Sequence, residues 1–83
     1  MNSIGAGIKK IRQGKRLTQE QLVAHCHLLG WSISRGTLAK IESKVRCVTD
    51  REVFLLASAL KTDINQLYAY VTLEDVLKQV EGG

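Results

Sequence analysis

Ser34-Arg35-Gly36-Thr37-Leu38-Ala39-Lys40-Ile41-Glu42-Ser43-Lys44 is the stretch from which the rest of the chain is read. Leu38 and Ile41 stand three apart, so on a helix they share one face, with Ala39 at its edge. Arg35, Lys40 and Lys44 fall elsewhere on the wheel. Ser34 suits the N-cap, where its hydroxyl can accept a backbone N–H, and this places Arg35 and Gly36 in the first turn. A purely structural helix has no need of Arg-Gly-Thr at its tip. A helix that enters a DNA groove needs long donors beside a residue small enough for close backbone approach. The expectation is a helix over 34–44, pinned by two aliphatic side chains, with the other segments as its scaffold.

Those segments carry helical patterns. Upstream, Ile4, Ile8 and Ile11 form one stripe, with Ser3 as the expected cap. Gly5 and Gly7 weaken those turns by up to about 1 kcal/mol each relative to Ala, and Gly14 is the expected stop. Thr18-Gln19-Glu20-Gln21 is a capping box with Leu17 and Leu22 at the staple positions. The apolar face of that helix runs Leu22, Val23, Cys26, Leu29, and Gly30 is its expected end. The apolar members of Trp31-Ser32-Ile33 should pack down. Downstream, Thr49-Asp50-Arg51-Glu52 is a second capping box, stapled by Val48 and Val53. The helix it opens, near 50–60, is apolar around much of its circumference, Phe54 included, and is expected at the centre of the fold. Thr62 or Asp63 caps a short helix with Ile64, Leu67 and Tyr68. Leu73, Val76, Leu77 and Val80 form a last stripe after Thr72.

With 83 residues, 45% hydrophobic, no proline and no alternating strand pattern, the chain reads as all-α. We expect a compact bundle of five helices, followed by a short C-terminal sixth helix. Residues 1–70 form the domain, and 71–83 an amphipathic helix and tail, whose stripe either covers the bundle of its own chain, dimerises with a second copy or binds another protein. No run of about 18 apolar residues is present, and no signal-peptide core follows Met1, so a cytoplasmic protein without membrane attachment is expected. Cys26 and Cys47 are too few for a disulfide framework. His25, Cys26 and His27 diverge on a helix by roughly 100° per residue, so no metal site is expected. No nucleophile–base set or phosphate loop emerges, so neither enzyme nor cofactor is expected.

The net charge of +4 conceals an asymmetry. Residues 1–51 hold ten Lys/Arg and three acids, whereas 52–83 hold two bases and five acids. A basic front suits a polyanion. Lys44, Arg46 and Arg51 surround the end of one helix and the amides that start the next, which favours phosphate contact.

In their order, Gly5…Arg12…Leu17-Thr18-Gln19-Glu20-Gln21-Leu22, Leu38-Ala39-Lys40-Ile41-Glu42, Leu56-Ala57-Ser58-Ala59-Leu60 and Ile64-Asn65-Gln66-Leu67 resemble the Cro/repressor-type (XRE-like) helix-turn-helix proteins. The likeness covers about residues 4 to 70. It implies a transcriptional regulator, a repressor, that binds double-stranded DNA sequence-specifically as a homodimer and reads the major groove with residues 34–44. It further implies that Arg35, Gly36 and Lys40 face base edges, that Gln19 bonds a phosphate, that Ser34 and Thr37 sit near the backbone or groove wall, and that Arg12 and Glu42 form a partly buried ion pair. Arg35 suits either a bidentate contact to guanine O6 and N7 or a clamp on phosphate, since at least half of protein–DNA hydrogen bonds go to the backbone. Two features depart from the pattern. The interval from Thr18 to Glu42 is several residues longer than in minimal members, so the turn is expected to absorb His27 to Ile33. Lys44 stands where the family usually has glycine, which leaves open a strained Lys44 or a helix that ends differently. The alternative reading is a protein-interaction module or antitoxin-like subunit that engages a protein partner through residues 71–81.

Overall fold

The computed structural model describes residues 4–69. They form five helices: α1 (Ile4–Gly14), α2 (Gln19–Leu28), α3 (Arg35–Glu42), α4 (Asp50–Ala59) and α5 (Ile64–Tyr68). Ser3, the stripe within 71–83 and its expected sixth helix lie outside the described residues.

Each of α2 to α5 starts on a side chain that accepts from a first-turn amide. Thr18 and Thr49 do so within full capping boxes, in which Gln21 and Glu52 reach back to the cap amide. Ser34 caps α3 and Asp63 caps α5. The staple residues Leu17 and Val48 pack against the core beside buried Leu22 and Val53.

Four helix ends share one device. After α1, α2, α3 and α4 the chain turns through a left-handed residue, with N–H groups closing back on the third- and second-last helical carbonyls. Only α2 uses glycine for this, Gly30 at φ 86°. The others use Arg16 (φ 58°), Lys44 (φ 65°) and Lys61 (φ 55°). Each is a cation at the negative end of a helix dipole, which offsets part of the left-handed penalty. Lys44 is therefore left-handed and α3 ends at Glu42, with Ser43 as its cap. Gly14 is the last residue of α1, but the left-handed position falls at Arg16. α2 runs on through Leu28, so the lengthened turn is 29–34, beginning after His27.

The core is built from Ile4, Ile8 and Ile11 of α1, Leu22 and Cys26 of α2, Leu38 and Ile41 of α3, Val53, Leu56, Ala57 and Ala59 of α4, Leu67 of α5, and Ile33 and Leu60 from the connectors. α1 packs on α3 and α5, α2 on α3 and α4, and α4 on α5. Two expectations fail here. α4 does not occupy the centre: it packs between α2 and α5 and leaves Phe54 63% exposed. Phe54 is one residue, roughly 100°, past the buried Val53. Leu29 is the C-cap of α2 and is 45% exposed, because the chain turns away before its side chain reaches the apolar face. Trp31 is half-buried and Ile33 buried, so the connector does pack down.

Candidate nucleic-acid interface

α3 is anchored at one end and open at the other. Leu38 and Ile41 are buried, while Gly36, Lys40 and Ser43, four and three residues apart, form an exposed stripe beside exposed Arg35. The Ser34 hydroxyl oxygen accepts from the Thr37 amide at 3.1 Å and donates to Thr37 Oγ1 at 2.9 Å, so both side chains are used in shaping the tip. Among the described residues, no packing contact requires Gly36 to be glycine. A β-carbon there would find only Ser34 Oγ, at 3.9 Å.

The C-terminal turn of α3 is held by α1 and α2. Arg12 Nε donates to Glu42 Oε2 at 2.7 Å and Nη2 to Oε1 at 3.0 Å, a forked pair with both side chains buried. Arg12 Nη1 also donates to the Leu17 carbonyl at 2.8 Å, tying the α1–α2 turn to the same cation. Gln19 Nε2 donates to Glu42 Oε1 at 3.0 Å. One carboxylate thus joins three helices. An amide nitrogen carries two hydrogens, so one N–H of Gln19 remains beyond the bond to Glu42. Opposite this network Gly5 admits the backbone of α3, since a β-carbon would collide with the Ile41 carbonyl oxygen.

Between α3 and α4 the basic side chains differ in their engagements. Arg46 Nη2 donates to Glu52 Oε2 at 2.9 Å and Nη1 to Oε1 at 3.2 Å. Glu52 Oε1 also accepts the Thr49 amide of the capping box at 3.0 Å. The Arg46 hydrogen bond holds the Glu52 carboxyl below the usual range, against the opposing effect of burial, and Glu52 raises Arg46 in turn. Arg51 is exposed and Lys44 half-buried. At the front of α2 and α3, Arg35 Nη1 lies 3.4 Å from Glu20 Oε1 across an open recess also lined by Arg12, Thr18 and Gln19.

Two helices joined by a turn, the second presenting a stripe with glycine and cations, match a known pattern along most of the chain. A family model described as Helix-turn-helix matches residues 8–67. The chain belongs to the helix-turn-helix family. No curated protein and no solved structure matches it. The helix-turn-helix motif and the helical bundle around it support a DNA-binding regulatory function. No helix among the described residues is long and apolar enough to cross a membrane.

Within this helix-turn-helix, the structure gathers Arg35, Gly36 and Lys40 on the side of α3 turned away from the core, and Arg12 and Glu42 behind it. It turns Gln19 onto Glu42, and Arg46 onto Glu52. The two histidines point to separate carbonyls: His25 Nδ1 lies 3.1 Å from Ala59 O and His27 Nε2 2.7 Å from Ile33 O. Sequence reading gave Gly5 a helix penalty and a place in the resemblance but no packing role, and overlooked the pairs Glu20–Arg35 and Arg46–Glu52. Their separations, 15 and 6 residues, match no helical spacing, so no local pattern points to them.

Proposed function

We propose that this chain is a sequence-specific transcriptional repressor that places α3 in the DNA major groove. Arg35 and Lys40 read base edges, and Gly36 lets the backbone approach. The second Gln19 N–H, Lys44 and Arg51 contact phosphates. Ser34 and Thr37 preset the tip, while Arg46 contributes to phosphate binding from its seat on Glu52. Two copies bind half-sites roughly one helical turn apart, about 10 base pairs centre to centre.

The observation that carries this reading is the asymmetry of α3. Its last turn is locked by Arg12, Gln19 and Gly5, yet among the described residues the stripe Gly36–Lys40–Ser43 is exposed and contains a glycine that no contact demands. A rigidly mounted but uncovered helix edge is what base reading requires, because the donors must hold position without substrate-induced folding.

Selection of bound fragments from random duplex DNA tests it. Enrichment of a two-fold symmetric sequence is expected, with affinity for it falling steeply as salt rises. Recovery of fragments without any common sequence would refute base reading, and a single half-site would refute the dimer.

A further inference from the structure

Glu20 is an acid on the face that the proposed function turns toward a polyanion. The other polar groups of its recess have structural duties: Arg12 serves Glu42 and Leu17, Gln19 serves Glu42, and Thr18 caps α2. Glu20 and Arg35 are left facing each other at 3.4 Å, their side chains 74% and 65% exposed. A carboxylate in the first turn of α2 interacts well with the helix dipole. That accounts for an acid at this position but not for its reach across to the first residue of α3. Near phosphates, a lone acid lowers affinity for every duplex alike.

From this juxtaposition, and resting on the DNA-binding reading above, we infer that Glu20 is a positioning residue: it holds Arg35 at the tip of α3 and withholds it from phosphates. An exposed pair of this kind contributes at most about fivefold to an equilibrium. A diffuse, screened phosphate contact is of similar strength and so gains little by displacing Glu20. A bidentate guanine contact discriminates by roughly 5- to 150-fold, enough to draw Arg35 away. Arg35 then strengthens binding at the correct site and makes no phosphate contact elsewhere, so Glu20 sets where Arg35 is used and lowers binding to random duplex.

The test compares wild type, Glu20→Gln, Arg35→Ala and the double variant on the selected site and on random duplex across a salt series. Thermal melting confirms that all four are folded. On random DNA, Arg35→Ala should leave the slope of log affinity against log salt unchanged. Glu20→Gln should steepen it by about 0.9, the signature of one additional phosphate contact. It should raise random affinity roughly three- to fivefold, and affinity for the selected site by a similar factor, because Arg35 no longer has to leave a partner there. The double variant should return to the wild-type slope. A slope already flattened by Arg35→Ala alone would overturn the inference, because Arg35 would then bind phosphate with Glu20 in place. So would a steepening of the slope by Glu20→Gln that persists in the Arg35→Ala background, because the added phosphate contact would then not be made by Arg35. If wild type binds with salt dependence and Glu20→Gln behaves identically, only this inference falls. If wild type binds no duplex, the DNA-binding reading falls with it.

Discussion

Gly5 lies so close to the Ile41 carbonyl oxygen that no β-carbon fits between them. The obstacle is backbone, which cannot rotate aside as a side chain could. In an ordinary helix Gly→Ala is stabilising by up to about 1 kcal/mol. Here the sign should reverse, and Gly5→Ala should destabilise by about 1–3 kcal/mol as α1 is pushed off α3. Urea denaturation measures this directly. A neutral or stabilised Gly5→Ala protein would show that α1 and α3 are further apart than described.

Breaking the forked pair behind α3 should be more damaging than replacing it. Glu42→Ala leaves the Arg12 guanidinium buried without its carboxylate and Gln19 without its acceptor. A loss of about 3–5 kcal/mol is expected. Combining Arg12→Met with Glu42→Leu removes both charges while keeping apolar volume, and should recover most of that loss. A denaturant series on Arg12→Met, Glu42→Leu and the double variant closes the cycle. Equal and additive losses would mean that the two side chains act independently.

Acid should weaken the α3–α4 connection through Glu52. Its carboxyl is held below the ordinary range by the hydrogen bond from Arg46. A depressed folded-state value means the contribution is complete above the unfolded carboxylate value, about 4.3. It is lost as pH falls through the lower folded value. Glu52→Gln should therefore be less stable than wild type at neutral pH, and the two should converge as the solution is acidified below about pH 4. Denaturation midpoints across that range give the comparison, and parallel curves would deny Glu52 this role.

What the sequence made legible divides by the range of the interaction. Both capping boxes, the Ser34 cap and the burial of Leu38 and Ile41 could be read directly, because each is set by residues at most four apart. Gly5 could not be valued, since its use depends on a carbonyl 36 residues away. The turn at Lys44 was undecided because local penalties oppose a left-handed lysine, whereas closure of two carbonyls and the helix dipole favour it. Hydrophobicity put Phe54 and Leu29 inside. A helix at the margin of a small bundle buries one side only, and α2 ends before Leu29 can turn inward. At the interface, the exposed α3 stripe followed from the wheel, but the engagement of Gln19, Arg35 and Arg46 by carboxylates depended on how the helices pack.

The two cysteines should differ sharply in reactivity. Cys26 is buried in the core and its thiol is pushed up to about 11 by burial, whereas Cys47 is exposed. Only the thiolate is nucleophilic. A disulfide exchange reagent at about pH 8, near the ordinary thiol value, should modify one thiol promptly. The second should react at the rate of unfolding, or at once in denaturant. Mass spectrometry after digestion should place the fast label on Cys47. Prompt labelling of Cys26 in the native protein would mean that the α2 face opens far more readily than its packing implies.

Gly36 offers a test in which stability and function move in opposite directions. The space around it is open, so Gly36→Ala should fold normally and gain up to about 1 kcal/mol of stability from improved helix propensity. If α3 approaches base edges as proposed, the added methyl enters the groove ahead of the protein and should weaken specific DNA binding by roughly tenfold, within the range of a lost base contact. Random binding, carried by phosphate contacts, should change much less. Melting temperature and affinity on the same preparation separate the two effects. A Gly36→Ala protein that is more stable and binds its selected site as tightly as wild type would remove Gly36 from the interface and move the reading edge toward Arg35 and Lys40 alone.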